Sequence, residues 1–199
     1  MDDNGVGVTN YHVLENAYSA TIFTADVQEY SITEIVWADK EFDIVKFKVN
    51  VLDKIYVPLK ISKILPDIGE KVYVIGSPQG LDFSISGGII SSIRKDLNNN
   101  KSITYYQTTT PISEGNSGSP LINQHNEVLG IISFYYKDGQ NLNFAIAFDS
   151  SLINIKSENY LSLPLNKNAK PRVFQAKVLT PSVCCPIVAI QDFEMGNIR

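Results

Sequence analysis

The sequence predicts an all-β protein, and three observations predict it. Apolar, β-branched runs of strand length follow one another along most of the chain. Turn signals rich in Gly, Asn and Pro separate them, among them Ser77-Pro78-Gln79-Gly80, Asn98-Asn99-Asn100, Gln124-His125-Asn126 and Lys137-Asp138-Gly139. No helical periodicity competes with the alternation through the first runs. Many short strands at near-regular spacing point to barrels or a sandwich.

Taken in order, Gly5–Thr9 reads as the end of a strand. Strands are then expected at Ala20–Val27, Ile32–Ala38 and Asp43–Val49. The last alternates cleanly, with Val45, Phe47 and Val49 on one face and Lys46 and Lys48 on the other. Residues 51–69, with Pro58, Pro66 and Gly69, form a connector containing an extended segment. A second group of strands is expected at Lys71–Ile75, Ile85–Lys95, Ser102–Thr109, Ser119–Asn123, Glu127–Tyr136 and Asn141–Phe148. Ser150–Tyr160 reads as a short helix with Leu152, Ile153 and Ile155 inward. Beyond Pro164 the chain turns linker-like, and residues 172–190 hold apolar runs broken by Pro181 and Pro186.

A chain of 199 residues, 44% hydrophobic and 19% charged, suits a folded domain or two small ones. A net charge of −4 and scattered lysines argue against a nucleic-acid surface or an anionic membrane as partner. No run approaches the ~18 apolar residues of a membrane span. The acidic opening Met1-Asp2-Asp3-Asn4-Gly5 lacks the apolar core of a signal peptide. The adjacent Cys184 and Cys185 and the two histidines offer no metal-ligand spacing, so neither metal nor other cofactor is expected. Location stays open.

The chemistry points to Gly115-Asn116-Ser117-Gly118-Ser119-Pro120. A serine between glycines in a tight turn can expose its hydroxyl beside backbone N–H groups that face one point, which suits a nucleophile and a pocket for developing charge. The same residues also make an ordinary polar hairpin turn. Partners elsewhere decide. A serine hydroxyl needs a base, and the base needs an acid to fix its tautomer. His125 lies in a hairpin turn, whereas His12 follows an apolar strand. Asp39 sits in a polar turn and Asp53 in a loop, whereas Asp43 opens a strand where its carboxylate can be held. The order His12, Asp43, Ser117 is that of the chymotrypsin group, and Ser119 stands where a nucleophile elbow would need glycine.

The segments Val8-Thr9-Asn10-Tyr11-His12-Val13, Asp43–Val49 and Gly69–Leu81, with Ser86–Ser91, Gln107–Thr110, Gly115–Leu121, Val128–Ile131 and Asn143–Ile146, carry a resemblance in their order. Over about residues 5–150 the chain resembles the trypsin-like serine peptidases, in their bacterial HtrA/Deg-like branch. The resemblance implies a chymotrypsin-like double β-barrel, with 1–65 as a partial first barrel carrying His12 and Asp43 and 66–149 as a second carrying Ser117. A short helix (150–165) and an unassigned tail (166–199) would follow. It implies a serine endopeptidase acting on polypeptides through an acyl-enzyme. His12 would be the base, Asp43 its orienting partner and Ser117 the nucleophile. Gly115, Asn116 and Ser117 would form the oxyanion hole, and Pro111, Ser133, Phe134, Phe144 and Ala145 the substrate pocket. With Pro111 at the pocket base, an apolar preference is expected over Lys or Arg.

The pattern departs from the family in three places. Family members carry about two further strands before the histidine motif, so the first barrel is expected to be incomplete, as in an N-terminally truncated member. Ser119 replaces a common glycine, which is tolerable only at a negative φ. The tail is too short for a PDZ domain, and either 172–179 or 186–190 could pair with the open barrel edge. The main rival reading is an inactive relative that at most binds peptides, and a more distant one is an unrelated β-barrel binding module.

Overall fold

A computed structural model describes residues 5–24, 29–49, 59–76, 84–98, 101–137, 139, 141–148, 173–178 and 188–192. The protein is nearly all β, with two sheet systems. The first contains β1 (Val6–Thr9), β2 (Ser19–Thr24), β3 (Glu29–Asp39) and β4 (Ile44–Val49). The second is a closed six-stranded barrel of β5 (Lys71–Gly76), β6 (Ser84–Asn98), β7 (Lys101–Thr108), β8 (Pro120–Asn123), β9 (Val128–Tyr135) and β10 (Asn143–Ala147), in the order β10-β7-β6-β5-β8-β9. The tail contributes β11 (Val173–Val178) and β12 (Val188–Asp192).

Both tail strands join the first sheet, whose order is β1-β4-β3-β2-β11-β12. β11 runs parallel to β2, with Ile22 opposite Ala176, and β12 pairs antiparallel with β11. A strand edge left bare at β2 would be an aggregation hazard, and this pairing covers it. The expected helix at 150–160 and the two cysteines lie outside the described residues.

Alternation drives the first sheet. Val45, Phe47 and Val49 on β4 turn inward with Ile22, Ile35, Leu14 and Ala20, while Lys48 stays outside. Phe47 is fully buried, so truncating it to alanine should cost about 3–5 kcal/mol. In the barrel, Val72, Val74, Ile90, Leu121, Leu129, Ile132 and Ala145 fill the interior. A third cluster lies between the sheets, where Ile44, Trp37, Val8 and Phe42 from the first meet Ile103, Ile131, Ile146 and Tyr105 of the second. This apolar seam fixes the two sheets against each other.

One short element was not readable as periodicity. Tyr11–Leu14 forms a single helical turn, α1, directly after β1. Four residues are too few to show a 3.6-residue repeat. The turn buries Val13 and Leu14, which leaves His12 facing outward.

Candidate active site

The site begins with the turn that links β3 to β4. Asp39 Oδ1 accepts hydrogen bonds from the backbone N–H groups of Glu41 and Phe42 at 2.9 and 3.1 Å, so this carboxylate is spent on the turn. The turn delivers Asp43 with φ 53°, outside β4 rather than as its first residue. A left-handed Asp costs on the order of 1 kcal/mol or more and is held only by its surroundings. Asn10 supplies one restraint. Although it stands at the start of α1, it makes no side-chain cap there, and its Nδ2 donates to the Asp43 carbonyl at 3.2 Å.

That backbone geometry turns the Asp43 carboxylate toward His12. Oδ1 accepts the His12 backbone N–H at 2.9 Å, and the imidazole Nδ1 lies 3.0 Å from Oδ1 and 2.9 Å from Oδ2. The arrangement fits an Nδ1–H tautomer, which leaves Nε2 as the free acceptor. From the barrel, Ser133 Oγ donates to Asp43 Oδ2 at 2.7 Å. The carboxylate thus receives hydrogen bonds from both sheets.

Ser117 sits on the turn between β7 and β8. Its loop is clamped to β9: the Gly118 N–H donates to the Ile132 carbonyl at 2.9 Å, and the Ile132 N–H to the Ser119 carbonyl at 2.8 Å. Ser117 Oγ donates to the Ser133 carbonyl at 3.5 Å. Ser133 therefore touches Asp43 through its side chain and Ser117 through its backbone. Among the described residues, no hydrogen bond joins Ser117 Oγ to His12.

Upstream, Ser113–Asn116 closes a turn in which the Asn116 N–H donates to the Ser113 carbonyl at 3.1 Å and Gly115 takes φ +96°. Positive φ at the third residue is the mark of a type II turn and calls for glycine. Of the three backbone donors expected at an oxyanion hole, that of Asn116 is consumed by this turn, which leaves Gly115 and Ser117. Gly118, at φ +81°, lies so close to the first sheet that a Cβ there would collide with Thr9 Oγ1. Ser119 is not among the residues with positive φ, so its side chain fits the backbone, fully buried.

A cleft of about 210 Å³ opens beside Ser117, walled by Ile112, Ile132 and Phe134 with Ser133 between them. Of the expected pocket residues, Ser133 and Phe134 line it. Phe144 stacks behind Phe134 with ring centroids 4.8 Å apart, Ala145 is fully buried, and Pro111 is exposed and outside the lining. Ile112, Ile132, Tyr135 and Lys137 line the cleft without having been singled out in the sequence. No local signal marks them, because they meet only through the β7–β8 loop folding onto β9. Lys137 Nζ donates to Glu114 Oε1 at 3.0 Å, and the Glu114 hydrogen bond raises the Lys137 ammonium above its ordinary range. His125 stays on the exposed β8–β9 hairpin, and Asp53 lies outside the described residues. No group of His, Cys, Asp and Glu able to hold a metal occurs among the described residues. No helix among them is long and apolar enough to cross a membrane.

Residues 1–131 match the model of the trypsin-like peptidase domain. The chain belongs to that family. Among curated relatives of this trypsin-like peptidase, a probable periplasmic DegP-like serine endoprotease of Halomonas elongata is 36% identical over 155 residues, 76% of this chain and 32% of its own length. A protein of the same description from Pseudomonas fluorescens is 34% identical over 152 residues, 75% of this chain and 32% of the relative. The chain thus spans about a third of the length of these relatives. Among solved structures, a serine endoprotease from Yersinia pestis aligns with TM-score 0.64 and 27% identity, covering 77% of this chain and 52% of that one. The active form of the Rv3671c protease of M. tuberculosis aligns with TM-score 0.70 at 20% identity, over 83% of this chain and 75% of the other, a likeness of fold.

Proposed function

We propose that this trypsin-like peptidase is a serine endopeptidase that cleaves polypeptides through an acyl-enzyme on Ser117. The observation that carries the reading is the Asp43–His12 pair, bonded at Nδ1 and braced by Ser133 from the opposite sheet. In this reading His12 Nε2 takes the Ser117 proton as Oγ attacks the scissile carbonyl, and returns it to the leaving amine. Asp43 holds the tautomer and stabilises the imidazolium. The developing oxyanion is met by the N–H groups of Gly115 and Ser117, donors worth roughly 10²–10³ in rate each. Water then repeats the sequence on the ester and frees the acid product. The apolar walls Ile112, Ile132 and Phe134 suit an apolar side chain on the acyl side of the cleaved bond.

The names of the DegP-like relatives support the same activity. The 3.5 Å bond from Ser117 Oγ to the Ser133 carbonyl is long, and catalytic hydrogen bonds commonly tighten only in the complex with substrate. The test is hydrolysis of an unfolded polypeptide such as reduced casein. The unsubstituted protein should release peptides and Ser117→Ala should not. Equal release by both would overturn the proposal.

A further inference from the structure

A second polar device lies at the mouth of the cleft. Glu114 and Lys137 both line it and pair across 3.0 Å. They come from different segments: Glu114 belongs to the Ser113–Asn116 turn that leads to Ser117, and Lys137 follows the end of β9. Burial orders the lining by depth. Ile132 and Ser133 are buried, Phe134 is 37% exposed, and the Glu114 and Lys137 side chains are 76% and 73% exposed. The pair is therefore the solvent-exposed, polar part of a lining whose other side is apolar.

We propose that the Glu114–Lys137 ion pair is a specificity-determining strap across the cleft mouth, passing small apolar side chains freely and bulky ones only when it opens. The proposal rests on the reading of Ser117 as the nucleophile, since that reading makes this cleft the acyl-side pocket. The pair carries no net charge, so it selects by size and not by charge. A carboxylate and an ammonium tied together also lose the freedom to swing outward, and a large side chain must separate them before it reaches Ile112, Ile132 and Phe134. Exposed pairs are weak and salt-screened. Discrimination is therefore a few-fold, and the strap yields without a cost that would prevent cleavage.

The test uses peptides identical except for Ala, Val, Leu or Phe on the acyl side of the scissile bond. Lys137→Ala and Glu114→Gln should each raise the Phe-to-Ala ratio of kcat/KM by about threefold to fivefold, the range an exposed ion pair can impose. The reversed pair, Glu114→Lys with Lys137→Glu, should bring the ratio back toward that of the unsubstituted protein. Raising salt from about 0.05 to about 0.5 M should raise the ratio in the unsubstituted protein but not in Lys137→Ala. A ratio unmoved by both single substitutions, or a reversed pair that behaves like the singles, would overturn the strap. Labelling of Ser117 by a small fluorophosphonate on the same preparations separates the two levels. No labelling of the unsubstituted protein overturns the nucleophile reading and the strap with it, whereas labelling with an unmoved ratio overturns the strap alone.

Discussion

The hydroxyl of Ser133, on β9 of the closed barrel, donates to the carboxylate of Asp43, at the head of β4 in the other sheet, over 2.7 Å. It is a charge-assisted bond between the two sheets, at a point where Asp43 is also strained at φ 53°. Ser133→Ala should lower kcat/KM by about 10- to 10²-fold, since a hydrogen bond to a charged group contributes about 1.5–3 kcal/mol. Ser133→Thr, which keeps the hydroxyl, should recover most of that loss. Steady-state kinetics on both variants checks this, and an alanine variant as active as the threonine one would contradict it.

A second close approach between the sheets brings Gly118 against Thr9. Any Cβ at position 118 would need a left-handed backbone and would collide with Thr9 Oγ1. Gly118→Ala should cost about 1–3 kcal/mol of stability and more than that in transition-state stabilisation, because the residue follows the nucleophile directly. Adding Thr9→Ala removes the collision but not the strained φ, so the double variant should recover stability only in part. Urea melts and kinetics on the three variants make the cycle, and full recovery would show that backbone conformation contributes nothing.

The Glu127 carboxyl is held below its ordinary value of 4.5, first by its hydrogen bond from the Lys60 ammonium and then by one from Asn123. A depressed carboxylate contributes stability that is fully present above its unfolded value and lost as the pH falls through the folded one. The urea-midpoint difference between the unsubstituted protein and Lys60→Met should therefore be small but constant near neutrality and shrink below pH 4.5. A difference that grows on acidification would contradict the assignment.

The tail offers a structural test. β11 is flanked by β2 on one side and β12 on the other, so its backbone N–H groups are committed to ladders on both sides. Ala176→Pro deletes one of them and should lower the stability of the first sheet by about 1–3 kcal/mol. An unchanged urea midpoint would mean that this pairing plays no part in the stability of the folded chain.

How much of this was legible in the sequence differs from element to element. The alternation in Asp43–Val49 located β4 and its inward face, because a half-buried strand writes its period directly into residue polarity. It did not reveal that Asp43 itself leaves the strand. That depends on Asp39 capping the turn and on Asn10 reaching across from the start of α1, neither of which leaves a local pattern. Of the two segments expected at the open edge, 172–179 meets it as β11 beside β2, whereas β12 pairs with β11 instead, and no residue in β11 announces a parallel partner more than a hundred positions away. The cleft was the least readable part. Position 111 matched the family's pocket base by spacing from Ser117, but the chain turns so that Pro111 faces solvent and Ile112 lines the wall. Spacing along a chain does not fix which side chain of a loop points inward.

The central claim is that the Asp43-held imidazole of His12 activates Ser117, and the rate of fluorophosphonate labelling measures it most directly. The unsubstituted protein should take the label on Ser117 alone, and His12→Ala should slow that labelling by at least about 10²-fold, the low end of what a positioned base contributes. Labelling at an equal rate in both proteins, or at a residue other than Ser117, would contradict the account.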